Sequence, residues 1–360
     1  MPRGYRSNSK KETLILSTEG TAVLENRIII RDILNKCLDG GIPTREEATR
    51  LVQVELDSEE FYSLCYVANK LSREHFGNKG DVVAQIGLDY APCSRNCGFC
   101  SFGRDAGVVK ERLEWDTDTV VKTALAMVEA GANGIYLMTT ADYPFKKFID
   151  IAATVREAVQ DDIPLIANIG DFNYEQAQKL KEVGFSAVYH ALRLREGTDT
   201  GIPRTKREET IANARAAGLA VQVCLEPVGP EHTPEEMVEQ MFWAREIGAT
   251  FNGAMKRTAV PGTRLGGLGE ISFRELARLI AVTRLVMGDR ATAHCTHEPN
   301  LPALMAGANL IWAEAGPNPR DVLPDTAAGR GQSVRKCQEI LFEAGYDIRQ
   351  GPTPSAFVAG

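Results

Sequence analysis

The sequence predicts a (β/α)₈ barrel of the TIM type with an N-terminal helical extension. Three observations lead there. From about residue 84 onward a helical stretch ends in a small residue plus Gly, and a short β-rich run follows, again and again. Eight such β-rich runs can be counted. The length of 360 residues suits one such barrel with an extra segment. A doubly wound sheet would give the same alternation, but no glycine-rich dinucleotide loop follows the first strand.

Residues 1–80 read as a helical preface packed on the barrel. "RIIIRDILNKCLDGG" and "EEATRLVQVELDSEEFYSLCYVANKLSREHFG" place apolar residues three and four apart. The barrel is expected over 81–350. "VVAQIGLDY" (82–90) is its first strand. "EAGANGIYLM" (129–138), "IPLIANIG" (163–170), "EVGFSAVYHALR" (182–193) and "AAGLAVQVCLE" (216–226) carry the next four. "EIGATFNGAMK" (246–256), "ATAHC" (291–295) and "MAGANLIWA" (305–313) carry the last three. In most of these the glycine supplies the left-handed backbone of a helix C-cap before the chain turns into a strand. "DTDTVVKTALAMVEAG", "TKREETIANARAAG" and "TPEEMVEQMFWAREIG" read as intervening helices, their first Thr or Asp as N-caps. "GQSVRKCQEILFEAGYDIRQ" reads as a last helix, and 351–360, "GPTPSAFVAG", as an irregular tail.

The net charge of −7 argues against a general nucleic-acid binder. No apolar run reaches membrane-spanning length, and no apolar stretch follows the charges of "MPRGYRSNSKKETL". The expectation is a cytoplasmic protein with no membrane partner. Five of the eight cysteines are scattered and three fall within eight residues, in "APCSRNCGFCSFG" (91–103). A secreted disulfide scaffold would be smaller and denser in cysteine, so the compartment reads as reducing.

Cys93, Cys97 and Cys100 follow the first strand, at the barrel mouth where active sites are built. Their spacing cannot lie on one helical face, so the segment must curl around something. Thiolates suit iron–sulfur clusters, zinc or copper. A closed structural zinc site takes four protein ligands, which histidine could complete, and a catalytic zinc takes three. A [4Fe–4S] cluster on three cysteines leaves one iron open to a small molecule.

CxxxCxxC after strand one, with Phe99 just before the last Cys, resembles the radical S-adenosylmethionine (SAM) superfamily. The preface ending "REHFG", the eight-strand pattern and "MAGANLIW" resemble its biotin synthase branch, which includes methylornithine synthase and the HydE hydrogenase maturase. The resemblance implies a [4Fe–4S] cluster on Cys93, Cys97 and Cys100, and SAM as cofactor. It implies an electron from a low-potential donor, ferredoxin or flavodoxin. Cleavage of SAM then gives a 5′-deoxyadenosyl radical that takes hydrogen from a small-molecule substrate.

The same resemblance marks further positions. "LMTTADYP" (137–144) stands where relatives carry a Gly-Glu-Asp segment near the SAM methionine. Thr140 and Ala141 replace Gly and Glu, and Asp142 is in register; the alternative is a plain βα turn. Glu196 in "ALRLREGTDT" (191–200) matches the acid at the SAM ribose, and Arg207 the arginine at its carboxylate. For Arg207 a solvated helix-start charge is the competing reading. "LEPVGPEHT" (225–233) resembles the branch's Gly-x-Ile-x-Gly-x-x-Glu region, with Leu225 in place of the first Gly, and "AVPGTRL" (259–265) the Pro-x-x-Thr-Pro-Leu stretch whose backbone lies near adenine.

Strand alternation adds a reading independent of resemblance. If the polar set of each strand faces inward, Gln222, Cys224 and Glu226 line the interior from strand five. Asn252 and Lys256 join them from strand six and His294 from strand seven, which leaves Cys295 outside. Strand four is ambiguous between Tyr189–Ala191–Arg193 and Val188–His190–Leu192. Such an interior suits a polar or charged substrate, because buried polar groups need partners. A self-satisfied network is the alternative.

Biotin synthase holds an auxiliary cluster on three cysteines and an arginine. Here the segments after strands two and three contain no cysteine, and only Cys224 falls close to a third. His294 and His297 read first as local hydrogen-bonding residues, before a mononuclear metal is considered. The function expected is hydrogen abstraction from a small polar substrate, then rearrangement, fragmentation or C–C bond formation. Sulfur insertion is the alternative, and an iron–sulfur carrier is the non-enzymatic one.

Overall fold

The computed structural model describes residues 18–159 and 162–358. The first 17 residues of the expected preface lie outside them. Eight parallel strands close on themselves: β1 Lys79–Gly87, β2 Ile135–Met138, β3 Leu165–Asn168, β4 Phe185–Tyr189, β5 Ala220–Gln222, β6 Phe251–Lys256, β7 Ala293–Thr296 and β8 Leu310–Ala315. Each pairs with the next, β8 pairs back to β1, and β6 pairs with both β5 and β7, so no edge stays open. A short segment, Leu225–Val228, prolongs β5 beside β6. The chain is an eight-stranded TIM-type α/β barrel.

The preface forms α1 Thr18–Leu38, α2 Arg45–Val52 and α3 Glu59–Phe76. A capping box at Thr44 starts α2, and Gly77, with φ of 61°, ends α3 in the left-handed conformation. The outer helices are α4 Thr117–Glu129, α5 Phe145–Ala158, α6 Tyr174–Val183, α7 Arg204–Ala216, α8 Pro234–Glu246, α9 Phe273–Met287, α10 Leu301–Met305 and α11 Val334–Glu343. Asp116, Asn173, Thr233 and Ser272 cap α4, α6, α8 and α9 as side-chain acceptors. α7 starts two residues earlier than an N-cap at Thr205 would place it, after Pro203 and without a side-chain cap. The preface packs on one flank: α2 against α8 and α9, α3 against α9 and α10. No helix among the described residues is long and apolar enough to cross a membrane.

Period two divides each strand between two cores. Val82, Ala84 and Ile86 face the helices, in one continuous apolar shell. Val83, Tyr136, Tyr189, Cys224, Phe251, Cys295 and Trp312 fill the interior. This core is aromatic and sulfur-rich, with Tyr136, Tyr189, Phe251 and Trp312 meeting edge-on or tilted at 5.7–6.5 Å.

The expected irregular tail has a structural place. A 3₁₀ turn, Pro354–Ala356, enters the base of the barrel, and Ala356 joins the interior core. Ser355 O accepts from Gln222 Nε2 at 2.9 Å and Thr250 Oγ1 at 2.6 Å. Thr353 Oγ1 donates to Asp81 Oδ2 at 2.6 Å, and Arg349 pairs with the other oxygen. Asp81 is fully buried, and burial raises its pKa despite both partners. Thr353→Val should therefore cost about 1–3 kcal/mol, read as a lower urea midpoint. A shift below about 0.5 kcal/mol would show that the tail does not anchor β1.

Candidate functional site

At the C-terminal mouth, residues 91–104 leave β1 and fold back on themselves. Cys93 N donates to Phe102 O at 2.6 Å and Arg104 N to Cys93 O at 3.1 Å. Cys100 N donates to Cys97 O at 3.0 Å. Three other barrel segments hold the loop. Gly98 N reaches Asp199 O at 2.8 Å, Ser101 N reaches Pro319 O at 2.9 Å, and Leu265 N reaches Gly98 O at 2.7 Å. The backbone is thus fixed without the thiols, which are free to bind something else.

Cys93, Cys97 and Cys100 share the wall of one cleft with Thr140, Tyr189, Arg193, Arg207, Glu226 and His297. About 1040 Å³ of space lies between its walls, part of it open solvent. Burial raises all three thiols, Cys100 to about 12, and their mutual repulsion adds to this. Arg193 and Arg207 oppose it at Cys97. A bound cation would resolve that electrostatic conflict. The three sulfurs do not all come within 4.8 Å of one another, unlike the one group among the described residues that does. They are spread too widely for one zinc, with Zn–S near 2.3 Å, and suit a larger inorganic body.

The other expected site residues divide. Thr140 lies on the wall, and its N and Oγ1 both donate to Asp89. Asp142 does not line the cleft. Its carboxylate accepts from Ser94 N and Oγ, so it clamps the cysteine loop from outside. Glu196 is also behind the wall, accepting from Arg193 N at 2.9 Å and lying 3.6 Å from Arg207 Nε. Arg207 is on the wall and buried, with Nη1 2.8 Å from His190 Nε2 and 3.4 Å from Asp171.

Gln222, Cys224 and Glu226 all point inward. Gln222 Oε1 accepts from Tyr136 at 2.6 Å deep in the barrel, and Glu226 accepts from Tyr189. Strand four resolves to Tyr189, Ala191 and Arg193 inside. Asn252, Lys256 and His294 are corrections, because all three point outward. His294 Nε2 bonds Ile280 O in α9 at 2.8 Å, and Asn252 is its register partner. Lys256 pairs with Glu270 over the ring of Phe273. Cys295 takes the inward place. Alternation fixes which residues share a face, but not which face is inside. Here the inner face is largely aromatic, and polar outward groups find helix backbone. Asn252 is buried with neither amide atom hydrogen-bonded, for which we have no physical account.

Sequence reasoning named Arg207 and left Arg193 on an ambiguous strand, but missed Arg95, Arg257 and Arg320. Arg95, Arg193, Arg207, Arg257 and Arg320 line the cleft, with Glu226 the only acid among its lining residues. They come from five separate segments, so no local motif displays them. Glu226 is raised by burial, with Arg193 and Tyr189 acting against this.

His190 carries a pH signature. Burial, then Arg207, pushes it down to about 4, while Asp171 pulls it up. The unfolded value is about 6.5. Its contribution to stability is therefore complete above that value and is lost as pH falls toward about 4. His294, pushed down to about 3 by burial, has the same sign. Metal-free protein should lose urea stability between pH about 7 and about 5, and His190→Gln should shrink that loss. An unchanged loss in the variant would exclude His190 as a source.

The family model of the radical SAM superfamily matches residues 90–244. Biotin synthase of Acetivibrio thermocellus is 30% identical over 263 residues, covering 70% of this chain and 80% of that protein. The crystal structure of HydG, a maturase of the [FeFe]-hydrogenase, superposes with a TM-score of 0.74 at 15% identity, over 92% of this chain and 80% of that one. Methylornithine synthase gives 0.73 at 17% identity, over 88% and 97%. The two structural likenesses speak for the fold.

Proposed function

Given that the chain belongs to the radical SAM superfamily, in its biotin synthase-like branch, we propose that it takes hydrogen from a small, negatively charged substrate held under the cysteine loop. It is an enzyme, and its cofactors are a [4Fe–4S] cluster and S-adenosylmethionine. Bound at this site, they supply a 5′-deoxyadenosyl radical on receipt of one low-potential electron. In this reading Cys93, Cys97 and Cys100 hold the cluster. Arg207, kept in place by Asp171 and Glu196, binds the SAM carboxylate, and Thr140 takes part in shaping that end.

Arg193 carries the substrate reading. It lies on the wall between Glu196, at 4.0 Å, and Glu226, at 3.9 Å, and its Nη1 is buried without a hydrogen-bond partner. A substrate carboxylate would satisfy it. Each of the five arginines on the wall has a carboxylate within 4.0 Å, so their charge is largely balanced and Arg193 alone carries the reading. The walls keep water from the reacting carbon. The electron comes from ferredoxin or flavodoxin, in a reducing cytoplasmic compartment.

Anaerobic reconstitution with iron, sulfide, SAM and dithionite should yield 5′-deoxyadenosine and methionine. Addition of small carboxylates deuterated on carbon should identify the substrate by label in 5′-deoxyadenosine. Absence of 5′-deoxyadenosine from iron-loaded protein would reject the reading. The similarity to biotin synthase favours sulfur insertion as a second reading. Against it, β2 and β3 bring no cysteine inward, so the interior offers only Cys224 and Cys295. Iron well above about four per chain would favour that reading.

A further inference from the structure

We propose that Cys224, Cys295 and His297 form a binding site for a single zinc-class divalent ion at the floor of the cleft. The inference goes beyond the proposed function and does not depend on Cys93, Cys97 or Cys100. The ligand atoms of the three residues all lie within 4.8 Å of one another, and all three residues are buried. Among the described residues no other group of three or more His, Cys, Asp or Glu meets that distance.

The geometry fits one ion. Cys224 Sγ and Cys295 Sγ are 3.7 Å apart. Two thiolates on a tetrahedral zinc, each at about 2.3 Å, stand about 3.8 Å apart. A two-iron cluster would spread its protein ligands over two metals, farther than these three atoms reach. Two sulfurs and an imidazole are the donors that soft and borderline ions choose over magnesium or calcium. Binding would release both thiol protons and leave the metal–dithiolate unit neutral.

Three elements build the site. Cys224 follows β5 and Cys295 belongs to β7, with β6 between them. The β6 residue paired with Cys295 is Gly253. A Cβ there would lie 1.9 Å from Cys295 O, so no larger residue fits. His297 is two residues beyond Cys295 and belongs to the cleft wall. Its ring stacks on Trp312 at 3.9 Å, and Nε2 is 3.0 Å from the Tyr189 hydroxyl, which also bonds Glu226. Such outer contacts orient a metal-ligating imidazole. The competing account is a buried thiol pair with one weak S–H···S bond and an unrelated histidine.

The test uses the full chain with Cys93, Cys97 and Cys100 all replaced by alanine, so the first site cannot take metal. The protein is kept reduced, stripped with a chelator and titrated with Zn²⁺, then separately with Co²⁺. About one zinc should bind per chain, and cobalt should give thiolate charge-transfer bands with the strong visible bands of a tetrahedral site. In the same background Cys224→Ser, Cys295→Ser and His297→Gln should each weaken zinc by more than about tenfold. Circular dichroism checks folding. If the parent variant does not fold, zinc is counted beside iron in the reconstituted wild-type chain and in His297→Gln. No zinc, zinc unchanged by all three substitutions, or iron with acid-labile sulfide at these residues would each overturn the proposal. None of these outcomes bears on SAM cleavage.

Discussion

Cys97→Ala is expected to lower 5′-deoxyadenosine formation to the level of a protein-free control, with the iron content falling to near zero. The same holds for Cys93→Ala and Cys100→Ala. The loss should not come from unfolding. Backbone bonds to Asp199, Pro319 and Leu265 position the loop, and the side chain of Cys97 takes part in none of them. Removing the thiol also removes a buried group that burial and neighbouring sulfur make hard to ionise. Metal-free variant and metal-free wild type should therefore unfold at nearly the same urea concentration. SAM cleavage retained by any of the three variants would refute the assignment of ligands.

Gly87→Ala should destabilise the protein by about 3 kcal/mol or more, enough to make much of it insoluble. A Cβ on Gly87 would lie 1.8 Å from Pro317 O and 2.7 Å from its carbonyl carbon. Those are backbone atoms, so no side-chain rotation relieves the clash. The opposing residue, Gly316, has φ of 74°, and a Cβ there would be 2.3 Å from Gly87 O. Two chain segments thus touch where β1 ends and the chain leaves β8. That contact places Pro319 against the cysteine loop and Arg320 on the cleft wall. Urea unfolding measures the effect, and a loss under about 1 kcal/mol would show that the junction relaxes freely.

What could be read in the sequence follows from how local each signal is. The eight strands were legible because each is a local β-rich run and most carry their own glycine stop, as in "EAGANGIYLM". The cysteine loop was legible because three thiols lie within eight residues. Inward Gln222, Cys224 and Glu226 agreed with an apolar outward set of Val221, Val223 and Leu225. The same rule failed for His294, because a backbone carbonyl of α9, fourteen residues away in sequence, satisfies its ring from outside. That failure also hid Cys295 and its meeting with Cys224. Asp142 and Glu196 were found as residues near the site, but they stand behind the cleft wall, Asp142 bonded to Ser94 and Glu196 to Thr200 and the Arg193 backbone. The five arginines of the wall meet only after the barrel closes.

The C-terminal turn under the barrel has a consequence for the order of assembly. β1 is made early, yet the hydroxyl that completes the shell around its Asp81 comes from Thr353, 272 residues later. A nascent chain on the ribosome can form its helices and pair its early strands. It cannot seal the base until Thr353 has emerged. Until residues 353–355 emerge, Asp81 and the Gln222 amide nitrogen lack these partners, and the base of the barrel stays open to water.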